Sequence, residues 1–328
     1  MIPNQWYAVL DPREVPRGRP VSVTRMGERL VFWRDSQGTV ACLRDACPHR
    51  GAALSGGKII GESVQCPFHG FRFDSDGACR LVPALGKNVP PPKAVKAGSY
   101  RVREAHGWIW IFWGDSKDAL PSVPYFDDLD SSFSYATFPY LWNAHYSRVI
   151  ENQLDVMHLP FVHYNTIGRG NRTVVDGPIS TLENDTIRLW VYNRKDDGLP
   201  ARRADELPPP QREPLIYFRF PNIWQNNISP DFRIVAAFAP VDETRTILYL
   251  RTYQRTVRLP VLRELFNGIS LIGNWYIARQ DKSVVERQVP KRSDLHIDEH
   301  LVGGDNPIIL YRRRRRALLD EAGIPEML

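Results

Sequence analysis

The sequence has 328 residues, of which 43% are hydrophobic and 11% aromatic, a composition that excludes a disordered chain. The formal net charge of +6 is modest and no nucleic-acid-binding motif accompanies it, so a nucleic-acid partner is not expected. The N-terminal segment lacks the apolar core of a signal peptide, and no uncharged run is apolar enough to span a membrane. We therefore expect a cytoplasmic protein without a membrane partner. Four cysteines are too few for a disulfide scaffold.

The first third of the chain is predicted to be an all-β module. Strand-like runs of apolar and β-branched residues, separated by turn signals, lie at residues 20–25, 29–35, 39–45, 63–74 and 100–115. A proline-bearing segment at 119–130 is typical of a domain boundary. We predict one domain at residues 1–117 and a second at residues 118–328.

The remainder of the chain mixes both types of secondary structure. A helix is predicted over 146–159, where Pro160 is expected to end it, and another over 262–288. Further strands are predicted at residues 187–193, 215–220, 234–240 and 246–256. A polar, proline-rich segment at 193–214 is predicted to be a loop. The fold class is therefore α+β, with the all-β module first.

Basic residues are concentrated in two places. Between Arg44 and Glu104 there are ten Lys or Arg residues against five Asp or Glu, and a run of five arginines occupies residues 312–316. The ordinary explanation is two solvated faces. The alternative is an electropositive surface around the first motif, including Lys58, Arg72 and Arg80, that would bind an acidic partner protein.

Two short Cys-Pro segments form the first motif, in which each cysteine is followed closely by a histidine and a glycine. The motif consists of Cys47, His49, Cys66 and His69. Thiolates and imidazoles can bind zinc or a Rieske [2Fe–2S] cluster, but zinc sites usually pair Cys-x-x-Cys with histidine. Here two similar loops could hold one cluster, with both cysteines on one iron and both histidines on the other. Gly51 and Gly70 would let backbone amides approach the cluster sulfurs.

This segment resembles the Rieske domain of bacterial aromatic ring-hydroxylating oxygenases. Respiratory-type Rieske proteins carry an additional cysteine in each loop, and the corresponding positions here hold Ala52 and Phe68. The resemblance therefore implies an oxygenase-type or ferredoxin-type centre. Cys42 and Cys79 match neither ligand position, and we predict that they are structural.

A second motif lies in the segment 146–163, which contains Asn152, Asp155, His158 and His163. Asn152, Asp155 and His158 recur every three residues and would share a helical face. His163 follows Pro160, where the chain can turn back towards His158. Two converging histidines need one carboxylate to complete a facial triad for non-haem iron. Asp281 is the candidate, because it shares a helical stripe with apolar residues where an unpaired carboxylate would be costly. Glu286 points to the opposite side, and a turn role suffices for Asp305.

Together the two motifs resemble the α-subunit of Rieske non-haem iron oxygenases over nearly the whole chain. The resemblance implies a helix-grip catalytic domain with an antiparallel sheet, one [2Fe–2S] cluster, and one Fe(II) bound by His158, His163 and Asp281. It places Asn152 near the iron. It also implies a head-to-tail homotrimer, in which Asp155 bridges the cluster ligand His69 of one subunit to the iron ligand His158 of its neighbour. The two metals of a single chain are expected to lie too far apart for fast electron transfer.

The function expected from this resemblance is that of a terminal oxygenase component. Electrons from NAD(P)H would arrive through a separate reductase or ferredoxin, because the chain contains no Gly-x-Gly-x-x-Gly fingerprint. The short spacing of the second motif favours hydroxylation or O- or N-demethylation of a small aromatic substrate. The alternatives are a ring cis-dihydroxylating dioxygenase, a Rieske electron carrier and a zinc-stabilised binding protein. Arginines in the 193–214 loop hint at an anionic substrate. Aromatic residues that could line a pocket are Trp142, Phe161, Tyr164, Phe218 and Trp224.

Overall fold

The computed structural model describes residues 1–114 and 119–325, and these divide into two compact units. Of the described residues, the first consists chiefly of 3–114 and 119–123 with 240–242, and the second of 124–239 with 243–325. The predicted domain boundary between residues 117 and 118 lies outside the described residues. Within the described part of the chain, no helix combines the length and apolar character that crossing a membrane requires.

The first unit is built from ten strands in two sheets. The strands are β1 (Gln5–Leu10), β2 (Val21–Arg25), β3 (Glu28–Arg34), β4 (Val40–Arg44), β5 (Lys58–Ile60), β6 (Ser63–Gln65), β7 (Arg72–Phe73), β8 (Cys79–Leu81), β9 (Ser99–Ala105) and β10 (Trp108–Trp113). A six-stranded sheet has the order β1-β10-β9-β4-β3-β2, and a four-stranded sheet runs from β5 to β8. Neighbouring strands are antiparallel in both sheets, as expected for an all-β module.

Three of the four cysteines are buried in the core of the first unit, and Cys79 is partly buried. Cys47 and Cys66 lie in a buried cluster with Trp33 and Val64, against which Cys79 also packs. Cys42 belongs to a second cluster on the six-stranded sheet, and burial raises the pKa of its thiol well above the ordinary value. It therefore packs as a small apolar residue.

The second unit has one large sheet and four helices. Its elements are β11 (Ser134–Trp142), α1 (Tyr146–Leu154), α2 (Leu159–Val162), β12 (Val174–Glu183), β13 (Thr186–Arg194), β14 (Ile216–Arg219), β15 (Ile223–Ser229), β16 (Phe232–Pro240), β17 (Thr246–Gln254), α3 (Pro260–Val285) and α4 (Asn306–Glu321). The seven strands have the order β11-β17-β16-β15-β14-β13-β12. Pairing is antiparallel between β11 and β17 and from β12 through β16. The predicted α+β class, with a β module followed by an antiparallel sheet and few helices, is confirmed.

The helix predicted over 146–159 is shorter than expected. Helix α1 ends at Leu154, and Asp155 has an extended backbone with ψ of 130°. The side chain of Asp155 explains this end, because its Oδ1 accepts a hydrogen bond from the N–H of Met157 at 2.6 Å and so stabilises a turn. Pro160 does not end a helix. It lies in the first turn of α2, where its missing N–H costs nothing.

The arginine run belongs to helix α4, and its interpretation as a solvated face is wrong for three of the five residues. Arg312, Arg315 and Arg316 are buried, whereas Arg313 is exposed. The buried positions have the i, i+3, i+4 spacing of one helical face, which packs against the rest of the unit. A buried guanidinium requires a carboxylate partner, and each of the three forms an ion pair.

Candidate metal centres

The two cysteine loops of the first unit adopt the same backbone turn. In each loop the cysteine N–H donates to the carbonyl five residues later, and the glycine four residues later donates back to the cysteine carbonyl. These distances are 2.8 and 2.8 Å in the loop of Cys47, and 2.8 and 3.1 Å in the loop of Cys66. Gly51 and Gly70 have φ values of +72° and +74°, in the left-handed region that favours glycine. Two loops of one geometry thus face each other.

Burial separates the four predicted cluster ligands into an inner and an outer pair. Cys47 and Cys66 are 3% and 1% exposed, whereas His49 and His69 are exposed and their rings meet edge to face with centroids 4.7 Å apart. Two buried thiols and two exposed imidazoles fit a Rieske cluster, in which one iron has thiolate ligands and the other has imidazoles. Burial raises the pKa of Cys47 to about 11. Positive iron would offset that cost, because only the thiolate binds a metal.

The second predicted site assembles from residues at two helices of the other unit. His158 immediately precedes α2, His163 immediately follows it, and Asp281 lies on α3. The Oδ1 atom of Asp281 is 2.9 Å from Nε2 of His163 and 3.4 Å from Nε2 of His158. The three ligand atoms all lie within 4.8 Å of one another. Two imidazoles and one carboxylate on one side of a cavity have the composition of a facial triad for non-haem iron.

Electrostatics in this cluster favour a cation. Asp281 is 3% exposed; burial acts to raise its pKa, but hydrogen bonds with His158 and His163 outweigh burial and hold the pKa below the ordinary value. Burial acts to lower the pKa of His158, yet the carboxylates of Asp155 and Asp281 raise it to about 9. Negative charge is therefore concentrated beside His158, and this charge would favour binding of a divalent metal.

Asn152 and Asp155 lie on either side of this cluster. The Nδ2 atom of Asn152 donates to Oδ1 of Asp281 at 3.4 Å. The Oδ2 atom of Asp155 faces Nδ1 of His158 at 3.7 Å, which is beyond hydrogen-bond distance. Nδ1 of His158 is buried and has no hydrogen-bond partner among the described residues. Asp155 thus stands next to the side of His158 that points away from Asp281.

Gln280 is a residue whose role the sequence reasoning missed. Its Oε1 atom accepts from Nδ1 of His163 at 2.9 Å and from Oγ1 of Thr166 at 3.1 Å, while its Nε2 donates to Oδ1 of Asn165 at 2.9 Å. This arrangement protonates His163 at Nδ1 and leaves Nε2 free for a metal. The available signal was the position of Gln280 directly before Asp281, the candidate iron ligand.

We expect Gln280→Leu to weaken iron binding about 10- to 100-fold, because His163 would lose the acceptor that fixes its ring and tautomer. Iron retention against a graded chelator series measures this directly. Gln280→Glu keeps an acceptor at the same position and serves as the matched control. Equal iron retention in the leucine variant and the parent protein would contradict the role given to Gln280.

A cavity of about 340 Å³ adjoins the three converging side chains. Its wall is mainly aliphatic, with Val156, Ile216, Ile234, Leu248, Leu250 and Ile277 among its members. Polar groups are contributed by Asn152, Gln153, Asn226 and Asn274. No lysine or arginine is part of this wall within the described ranges. Of the five aromatic residues proposed for a pocket, Trp224 lines the cavity, while Phe161 and Tyr164 are largely exposed on the surface.

The remaining candidates have other partners. Oε1 of Glu286 accepts from the N–H of Asn143 at 2.6 Å, outside the iron cluster. Oδ2 of Asp305 accepts from the N–H of Val302 at 2.8 Å, which is the expected turn role. Another histidine near this region, His145, is fully buried at the start of α1, where its side chain caps the helix. None of the three lines the cavity described above.

Comparison with known proteins gives matches for both units. A family model described as the Rieske [2Fe-2S] domain matches residues 5–103, and one described as the vanillate O-demethylase oxygenase C-terminal domain matches residues 142–321. Methylxanthine N1-demethylase NdmA of Pseudomonas putida is 29% identical over 334 residues, covering 95% of this chain and 88% of that protein. A solved structure of NdmA with caffeine has a TM-score of 0.75 at 26% identity, covering 98% of this chain and 91% of the other.

Another relative is longer than this chain. Protein TIC 55 of Arabidopsis thaliana is 24% identical over 328 residues, which cover 94% of this chain and 58% of that protein. A match to the catalytic domain family does not fit an electron carrier with an inert scaffold, and the Rieske match does not fit a zinc-binding protein. The chain belongs to the Rieske non-haem iron oxygenase family as an α-subunit, with a [2Fe–2S] cluster and a mononuclear iron as its cofactors.

Proposed function

We propose that this chain is the terminal component of a monooxygenase that hydroxylates a small aromatic compound or removes an O- or N-methyl group from it. The observation that carries this proposal is the convergence of His158, His163 and Asp281 at the wall of an apolar cavity. Relatives support it, since NdmA and the vanillate O-demethylase oxygenase subunit of a Pseudomonas strain, 33% identical over 207 residues, carry demethylase names. That second match covers 61% of this chain and 56% of that subunit.

The proposal assigns a task to each group of side chains. In the domain at 1–117, the ligands of the cluster are Cys47, His49, Cys66 and His69. In the domain at 118–328, His158, His163 and Asp281 hold ferrous iron, which supplies the redox chemistry that activates O2. The aliphatic wall binds an apolar substrate and excludes bulk water from the reacting atoms. Asn226 and Asn274 can orient the substrate by hydrogen bonds.

Electrons are proposed to reach the cluster from a separate NAD(P)H-dependent reductase or ferredoxin. The exposed edge of His69 lies beside Phe68, over which the guanidinium of Arg50 stands at 5.6 Å. Lys58 is exposed nearby in sequence, whereas Arg80 is already paired with Asp74. A basic surface with an exposed imidazole edge suits an acidic redox partner.

Asp155 is proposed to carry electrons between subunits of a homotrimer, from the cluster ligand His69 of one copy to His158 of the next. Its carboxylate is partly exposed and already stands 3.7 Å from Nδ1 of His158. We expect Asp155→Asn to slow electron transfer from the reduced cluster to the iron by at least about tenfold, because a neutral amide orients the two imidazoles less firmly. Stopped-flow absorbance of the cluster after rapid mixing with O2 and substrate measures this rate.

Asp205→Asn is a matched control, since it changes an exposed aspartate that pairs with Arg203 in a loop. The Asp155 variant should keep its full iron content and normal reduction of the cluster by the partner. Unchanged cluster reoxidation in Asp155→Asn, in a protein that sediments as a trimer, would contradict the bridging role.

Product analysis under isotopically labelled O2 tests the reaction type. The assay supplies NADH, a surrogate reductase and a panel of methoxylated, N-methylated and plain aromatic compounds. One labelled oxygen in the product, or formaldehyde together with a demethylated product, is the expected result. Two labelled oxygens in one product would instead establish a ring dioxygenase and overturn the monooxygenase proposal.

A further inference from the structure

A second cavity, of about 540 Å³, lies beside the iron-site cavity, and arginines dominate its wall. Its charged lining residues are Arg169, Arg172, Arg194, Arg202, Arg212 and Asp176. We call this recess the arginine vestibule. Five positive charges therefore face one negative charge in a concave surface, and such an imbalance attracts anions.

Asp176 neutralises only part of this charge and acts as an anchor. It is 1% exposed, and its Oδ2 atom accepts from Nη2 of Arg202 at 2.7 Å and from Nε of Arg194 at 3.2 Å. Arg194 also pairs with Asp197. These two guanidinium groups are thereby fixed at the rim of the vestibule.

The other three arginines have no carboxylate partner among the described residues. Arg212 donates to a backbone carbonyl at 2.8 Å and stands over the ring of Tyr192 at 5.3 Å, so its position is fixed. Nε of Arg169 donates to a backbone carbonyl at 2.7 Å. Arg172 forms neither a hydrogen bond nor an ion pair in the part of the chain that the structure describes. All three retain N–H donors for an external acceptor.

The vestibule and the iron-site cavity share one wall. Both are lined by Leu159, Ile167, Val191 and Leu215. Leu159 directly follows the iron-site residue His158, and Arg169 lies six positions after His163 in the same connecting segment. The two cavities are therefore direct neighbours, on either side of the same four side chains.

Resting on the proposed function, we propose that the substrate is an anion whose carboxylate or sulfonate binds in the arginine vestibule while its apolar, methyl-bearing end enters the iron-site cavity. The iron-site cavity has an aliphatic wall with no cationic lining among the described residues, so a charge would be poorly placed there. Planar guanidinium groups match the geometry of carboxylates and sulfonates and form charge-assisted hydrogen bonds with them.

The test compares ligands that differ only in charge. Methoxyphenyl carboxylates with zero to three methylenes between ring and carboxylate are paired with their neutral carboxamides. Dissociation constants are measured by calorimetry on the anaerobic holoenzyme, so that binding is separated from turnover. We expect the best carboxylate to bind at least about tenfold more tightly than its carboxamide, with affinity falling as salt rises. Arg169→Gln/Arg172→Gln should weaken carboxylate binding about tenfold and leave carboxamide binding unchanged. The control Arg313→Gln should leave the binding of both ligands unchanged.

Three outcomes would overturn the proposal that the vestibule binds an anion. These are equal affinity for both members of every pair, no binding by any carboxylate, or an equal loss of affinity for both ligands in the double variant. Slower reduction by the reductase with unchanged ligand affinity would assign the arginines to a protein partner instead. The proposed function fails separately, if carboxylates bind tightly and no compound in the panel is oxidised. Oxidation of the carboxamides alone would support the proposed function and contradict anion binding in the vestibule.

Discussion

Replacing Asp281 by asparagine is expected to reduce turnover at least about 100-fold, because the proposed iron site loses the carboxylate that approaches both of its histidines. The Oδ1 atom of Asp281 approaches both His158 and His163, so the carboxylate is the group that unites the site. Asparagine keeps the shape of the side chain but removes the negative charge. Two neutral imidazoles and a neutral amide would then have to hold a divalent cation in a buried site, where charge compensation matters most.

Metal analysis of the purified holoenzyme separates this effect from damage to the cluster. The Asp281 variant should lose one iron per chain, while acid-labile sulfide and the visible spectrum of the [2Fe–2S] cluster stay unchanged. Glu286→Gln is the matched control, because that carboxylate also lies near the end of α3 but binds the N–H of Asn143. An Asp281→Asn protein that keeps its full iron content and turnover would remove Asp281 from the proposed ligand set.

The Rieske domain could be recognised from the sequence because the cluster ligands proposed for it are local. Cysteine, histidine and glycine recur within one short segment, and the same backbone turn forms twice. The pair His158 and His163 is local for the same reason. Asp281 is distant in sequence and was found through a physical conflict, namely a carboxylate in an apolar helical stripe. That conflict is resolved by the two histidines that contact it.

Features that depend on which partner a polar side chain finds in the folded chain could not be predicted. The end of α1 at Leu154 depends on whether the side chain of Asp155 bonds the local backbone or leaves the helix to continue, and periodicity does not decide between these. The role of Gln280 depends on Nδ1 of His163, which is 117 positions away. Arginine runs are usually solvated, and only the fold shows that Arg312 reaches Glu151.

Replacing Arg312 by methionine is expected to lower the free energy of unfolding of the second unit by about 3–5 kcal/mol. Arg312 and Arg148 alternate with Glu151 and Glu299 in a closed set of ion pairs. Arg312 contacts Glu151 at 2.7 Å and Glu299 at 2.6 Å, and Arg148 contacts the same two carboxylates at 3.2 and 2.7 Å. Removing one arginine leaves two carboxylates against one positive charge, in a place where water cannot fully solvate the excess.

Urea unfolding followed by tryptophan fluorescence measures this loss, with Arg313→Met as the control because the neighbouring Arg313 is exposed. Adding Glu299→Gln to Arg312→Met should recover part of the stability, since the remaining pair of Arg148 and Glu151 is neutral overall.

The stability difference should also depend on pH. Burial acts to raise the pKa of Glu299, but hydrogen bonds from Arg148 and Arg312 outweigh burial and lower it. The stabilising effect of the Glu299 carboxylate is therefore complete above about pH 4.3 and is lost as pH falls through the folded-state pKa. The difference in the free energy of unfolding between the parent protein and Arg312→Met should become smaller over that pH range. A difference independent of pH would mean that Arg312 stabilises the unit by packing of its methylenes instead of by charge.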